Sequence, residues 1–182
     1  MNIAIIGAGN VGGALAQQWH KAGHRILVGA RRPEAEQGSP LAQIIGNERF
    51  MSISDAAAQS EIVLIATPPT AIFDIIDQLG NTDGKILIDA TNAVRQAPAP
   101  YATVYHALVD KAPRAHVAKC FNTTGFENML NPIYGGEGID MFTAGDSASA
   151  KTICQQLAKD AGFGACWDFG KGDKVALLEQ FA

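Results

Sequence analysis

Close to its amino terminus the chain reads Gly7-Ala8-Gly9-Asn10-Val11-Gly12. Glycine at these three positions suits the binding of a diphosphate. The first permits a tight turn, the second lets a pyrophosphate approach the backbone, and the third lets a helix pack closely on the preceding strand. A helix opening at Asn10 then turns its positive end and the unpaired N–H groups of its first turn, from Asn10, Val11 and Gly12, toward the anion. Such a pattern is weak alone in a chain with 19 glycines. Here it follows an apolar run, Ile3 to Ile6, and precedes a helical stretch, which makes dinucleotide binding the reading.

The next question is which dinucleotide. In NAD-binding loops an acidic residue about 20 positions further on takes the ribose 2′-hydroxyl. This chain instead has Ala30-Arg31-Arg32 at the end of its second apolar run, followed by Pro33, with Glu34 beyond it. A guanidinium group suits a dianionic 2′-phosphate and stacks on adenine. A charge-assisted hydrogen bond contributes roughly 1.5–3 kcal/mol, so Arg31 and Arg32 together imply NADP(H) over NAD(H) by on the order of a hundredfold.

The elements that must hold these residues follow from periodicity. Strands are predicted at Ile3–Ile6, Arg25–Ala30, Phe50–Ile53, Ile62–Ala66, Ile86–Asp89, Val117–Phe121, Met141–Ala144 and Gly164–Phe169. Val11, Leu15 and Trp19 recur every four positions, one helix face between Asn10 and Ala22, and Gly23 supplies the left-handed residue that ends it. A short helix is expected late in 31–46. Further helices are predicted at Thr70–Leu79, Tyr101–Lys111, Thr124–Leu130, Ser147–Ala161 and Asp173–Phe181. Strands alternating with helices imply parallel pairing. The expected fold is therefore α/β: a Rossmann-type, doubly wound, mainly parallel sheet with helices on both faces, one domain over residues 1–182. Ligands of such sheets lie outside the carboxyl ends of the strands. There the sequence places Thr67-Pro68, suited to ribose and pyrophosphate, and Asn92 and Asn122, whose amides suit a nicotinamide or an acceptor ring. Prolines also simply stop strands, and Asn and Thr also shape turns.

Of the 182 residues, 47% are hydrophobic and 18% charged, with a formal charge of −4. That balance argues against a nucleic-acid or anionic-lipid partner. The stretch Ile62–Phe73 is interrupted by Pro68-Pro69 and is too short to span a bilayer. Cys120, Cys154 and Cys166 form no C-x-x-C pair and suit a reducing, cytoplasmic compartment. His20 and His24 have a metal-ligand spacing, but Gly23 separates them, and a cation at a helix carboxyl end explains both without a metal. Gly135-Gly136-Glu137-Gly138 reads as a flexible loop, and Gly170 to Asp173 as a turn before the last helix. Lys119, borne on a strand, is expected to have its side-chain tip solvated, and Cys120 to be core. No Tyr-x-x-x-Lys, G-x-x-x-x-G-K-S/T or G-x-S-x-G pattern is present.

Four segments occur together in a familiar order: Gly29-Ala30-Arg31-Arg32, Ile88-Asp89-Ala90-Thr91-Asn92, Val117-Ala118-Lys119-Cys120-Phe121-Asn122-Thr123 and Met141-Phe142-Thr143-Ala144-Gly145-Asp146. The chain resembles the coenzyme F420-dependent NADP oxidoreductases and related dinucleotide-binding enzymes over nearly its whole length. The resemblance implies NADPH as cofactor and a small-molecule redox acceptor, F420 or a flavin, as second substrate. It also implies a homodimer, for which Val175, Leu177, Leu178 and Phe181 offer an apolar seam or, equally, a cover for the last strand. The chain departs from the family at Ala30, where serine is common, at Pro33-Glu34-Ala35-Glu36, and at Ala93, where proline is common. Many relatives also continue beyond the point where this sequence stops. Hydride transfer between two rings requires their alignment and the exclusion of water rather than a nucleophile or metal, so no catalytic residue is assigned. Two alternatives remain: a reductase of another small substrate, and a module that binds NADPH without turnover.

Overall fold

The computed structural model of the chain describes residues 1–181. Five strands and five helices build its first half: β1 (Asn2–Ile6), α1 (Asn10–Lys21), β2 (Arg25–Gly29), α2 (Pro40–Ile45), β3 (Phe50–Met51), α3 (Ile53–Ala58), β4 (Ile62–Ile65), α4 (Ile72–Leu79), β5 (Ile86–Asp89) and α5 (Val104–Lys111). Then come β6 (His116–Cys120), α6 (Phe126–Leu130), β7 (Ile133–Tyr134), β8 (Glu137–Gly138), β9 (Met141–Ala144), α7 (Ala148–Asp160), β10 (Cys166–Gly170) and α8 (Val175–Leu178).

Eight strands form one sheet in the order β10-β9-β6-β5-β4-β1-β2-β3. From β3 to β6 all neighbours are parallel, and β9 and β10 run the other way, with β9 antiparallel to β6. The parallel part has the doubly wound Rossmann order, which reverses between β1 and β4. The apolar run of β1 follows from its place: it pairs on both edges, Ile3 with Ile26 and with Ile62, and is covered on both faces. Ile3 and Ile5 join one core with Leu15 and Trp19 of α1, while Ala4 and Ile6 join the opposite core with Ile72 of α4 and Val104 of α5. Gly23, at φ +89°, ends α1 as expected.

Three segments differ from expectation. The strand predicted to run to Ile53 stops at Met51, because the Ser52 hydroxyl accepts the Asp55 N–H at 3.1 Å and starts α3, a helix the apolar pattern did not show. The glycine stretch at 135–138 is no loose loop. Gly135 (φ +60°) and Gly136 (φ +90°) form the two-residue turn of a hairpin that pairs Ile133 with Gly138. The last helix is only Val175–Leu178, flanked by 3-10 turns at Gly172–Lys174 and Glu179–Phe181. Val175 and Leu178 are buried in the core; Leu177 and Phe181 stay exposed, though the Phe181 ring meets Phe142 and Phe169. Among the described residues no helix is long and apolar enough to cross a membrane.

Candidate functional site

A cleft of about 650 Å³ opens where the strand order reverses, between the loops that follow β1, β2 and β4. Gly7, Gly9, Arg31, Arg32, Thr67 and Pro68 all line it, as does Ala30. The glycines fit for separate reasons. Gly7 has φ +99°, and a Cβ there would stand 2.6 Å from the Ala66 carbonyl oxygen. A Cβ on Gly12 would stand 2.0 Å from the Gly7 carbonyl oxygen, so only glycine lets α1 meet the loop. A Cβ on Gly9 would meet nothing within 4 Å, which leaves its backbone open to the approach of a ligand. Asn10 and Val11 do not line the cleft; they stand in the first turn of α1, where no side chain caps the helix and the first internal bond is Gly13 N–H to Gly9 O at 2.7 Å. The N–H groups of that turn are thus free for an anion.

Two further features leave polar groups of the cleft uncommitted within the protein. The Thr67 hydroxyl oxygen is buried and has no hydrogen-bond partner, a state that costs about 1–3 kcal/mol unless something bound supplies one. Arg31 and Arg32 are exposed on the cleft wall and, among the described residues, enter no ion pair or side-chain hydrogen bond. Glu36 and Asp74 stand on the same walls, so the cationic character is local to the end of β2. The cleft thus brings together backbone donors, a free hydroxyl and two guanidinium groups, all of them groups that hold anions or hydroxyls.

Asn92 and Asn122 stand apart from this cleft. They are joined to each other at the ends of β5 and β6: Asn92 Nδ2 donates to the Asn122 carbonyl at 2.9 Å, and Asn122 Nδ2 donates to Asn92 Oδ1 at 3.0 Å. Just before Asn122, Phe121 is buried with φ +62°, a strained conformation for an aromatic residue.

Lys119 overturns its expectation. It is fully buried, and its ammonium donates to Asp89 Oδ2 at 2.9 Å, to the Thr91 carbonyl and to Glu179 Oε1. A solvated tip is impossible here because β5 and β9 flank β6 and the carboxy-terminal turn covers its end. The sequence hinted at half of this: Asp89 ends one apolar run, Lys119 interrupts another, and parallel pairing sets them side by side. Glu179 lies 60 positions away and could not be anticipated. Cys120 is core, and burial beside Cys154 and Cys166 pushes its thiol well above the ordinary range. His24 Nε2 lies 3.0 Å from Asp160 Oδ2, tying the end of α1 to α7. Among the described residues no group of His, Cys, Asp and Glu is arranged to hold a metal ion.

The sheet order, its switch point and the glycine loop define a Rossmann-type fold of the dinucleotide-binding class. The chain belongs to the family described as NADP oxidoreductase, coenzyme F420-dependent, whose profile matches residues 2–93. A protein from Arthrobacter sp. FB24, proposed to be an F420-dependent NADP-reductase, superposes with TM-score 0.85 and 26% identity, over 100% of this chain and 90% of that one. A hypothetical protein from Sinorhizobium meliloti gives TM-score 0.80 and 28% identity over 94% and 85%. Glycerol-3-phosphate dehydrogenase [NAD(P)+] from Chlorobium phaeobacteroides is 26% identical over 138 residues, 69% of this chain but 41% of that enzyme. The chain thus spans about two fifths of that curated relative. A reductive aminase from Aspergillus terreus, solved with NADPH, shares the fold at TM-score 0.71 and 18% identity, over 98% of this chain and 58% of that one.

Proposed function

We propose that this protein is an NADPH-dependent oxidoreductase that moves hydride between NADP(H) and a flavin-like or deazaflavin acceptor such as F420. The observation that carries the reading is the cleft itself, with the bare glycine loop, the unpartnered Thr67 hydroxyl and Arg31 and Arg32 on its walls. In this reading the first turn of α1 holds the pyrophosphate, Thr67 and Pro68 hold the ribose side, and Arg31 and Arg32 hold the 2′-phosphate. The nicotinamide supplies or takes the hydride when bound, and the residues at the ends of β5 and β6, Asn92 and Asn122 among them, orient its ring against the acceptor. The protein's share of the chemistry is alignment and exclusion of water, since neither ring needs a nucleophile from the protein. Family membership supports the acceptor class, and three free thiols support a reducing compartment.

The test is NADPH oxidation by the purified protein with F420, FMN and FAD in parallel, following both chromophores. Enzyme-dependent reduction of F420 is the expected result. Tight NADPH binding with no oxidation by any of the three contradicts the reading and favours a sensing module.

A further inference from the structure

Two strands along the sheet from the glycine loop, three charged side chains meet out of solvent. All three protons of the Lys119 ammonium are taken, by Asp89, the Thr91 carbonyl and Glu179. The second oxygen of each carboxylate is also used: Thr91 N–H donates to Asp89 Oδ1 at 2.9 Å, and Ala93 N–H donates to Glu179 Oε2 at 2.7 Å. Each end of the five-residue turn Asp89–Ala93 is therefore held, and Asn92, between the held points, is locked to Asn122. Asn122 Nδ2 also reaches the Leu178 carbonyl at 3.4 Å, so the carboxy-terminal turn grips both strand ends.

Apolar side chains of similar volume could fill this space without the desolvation penalty of three buried charges. What the charges give instead is a backbone turn with one geometry. Two polar atoms at that turn remain buried and unpartnered: the Thr91 hydroxyl oxygen and Asn122 Oδ1. One is a hydroxyl and the other an acceptor, and a carboxamide has a matching acceptor and donor.

We infer that Lys119 and Glu179 are positioning residues for the nicotinamide end of the cofactor, holding the Asp89–Ala93 turn so that Thr91 and Asn122 meet the nicotinamide carboxamide. The inference rests on the NADP(H) reading above. It makes the carboxy-terminal segment, which lies outside the family-matched residues 2–93, part of the working site.

The test compares NADPH with 2′,5′-ADP, which carries the adenine end and the 2′-phosphate but no nicotinamide. Glu179→Gln and Lys119→Met are titrated with both. The expected result is a 2′,5′-ADP Kd within about twofold of the parent, as for well-separated sites. At saturating NADPH the nicotinamide emission of the variants falls back toward that of the free cofactor. Glu179→Gln leaves a charge-balanced Lys119–Asp89 pair, so it decides the matter if Lys119→Met does not fold. Unchanged nicotinamide emission overturns the inference, as does parallel weakening of both ligands, which marks a merely structural triad. In the unmodified protein, amide exchange at Thr91 and Ala93 should slow with NADPH and not with 2′,5′-ADP; equal behaviour with the two ligands also overturns it. A parent protein that binds neither ligand refutes the NADP(H) reading itself, a distinct outcome.

Discussion

At the glycine loop the protein presents open backbone, an unpartnered Thr67 hydroxyl and two uncommitted guanidinium groups, whereas at the ends of β5 and β6 three charged side chains already hold one another. The first region is built from groups that act singly, each open to the cleft or to solvent. Gly7 and Gly12 act through their own backbone, and the Arg31 and Arg32 side chains reach solvent. The second is built from residues that are distant in sequence and buried in the fold. The difference shows two ways of preparing a site. A region left unsatisfied binds an anion with little rearrangement, while a region satisfied internally fixes a shape.

The sharpest way to break this comparison is Lys119→Met. It leaves two carboxylates buried without their cation, and removing one partner of a buried pair costs about 3–5 kcal/mol. Urea unfolding should report a loss of that size; a loss below about 1 kcal/mol would mean that water already reaches the triad. Gly12→Val attacks the other region through sterics, since even its Cβ falls 2.0 Å from the Gly7 carbonyl oxygen. Overpacking of this kind costs about 3 kcal/mol, and NADPH binding should disappear with it in a fluorescence titration. Arg31→Ala leaves the fold intact and removes one charge-assisted contact. NADPH affinity should fall on the order of 10- to 100-fold while NADH affinity stays put. Equal loss for both cofactors would sink the 2′-phosphate assignment. The smallest effect has two signs. Thr67→Val removes a buried hydroxyl without a partner, so the free protein should keep its stability or gain up to about 1 kcal/mol. The same change should raise the NADPH Kd about fivefold; an unchanged Kd would place the hydroxyl outside the cofactor contact.

The legibility of the sequence follows the same division. The parallel sheet and the glycine loop could be read directly, because an all-apolar strand such as Ile3–Ile6 and a glycine at a fixed turn are local necessities. The β5 and β9 boundaries fell on Ile86–Asp89 and Met141–Ala144, since polar or glycine residues bracket both runs. Helix α3 was missed because its only signal is a cap, Ser52 to Asp55, over small residues with no strong apolar stripe. The hairpin at 133–138 was missed because two-residue strands carry too little periodicity, although Gly135-Gly136 is a recognised turn pair. Lys119 was misplaced for a different reason. Whether a lysine at a strand end is solvated depends on what covers that end, and here the cover, Glu179, comes from the far end of the chain.

The central claim is that this cleft is shaped for NADP(H), and the most direct test is the ratio of NADPH to NADH dissociation constants for the unmodified protein. Two guanidinium contacts to a 2′-phosphate predict an NADPH preference on the order of a hundredfold or more at low salt. NADH binding as tightly as NADPH would contradict the account, because nothing would then distinguish the cleft at Arg31 and Arg32 from a general dinucleotide site.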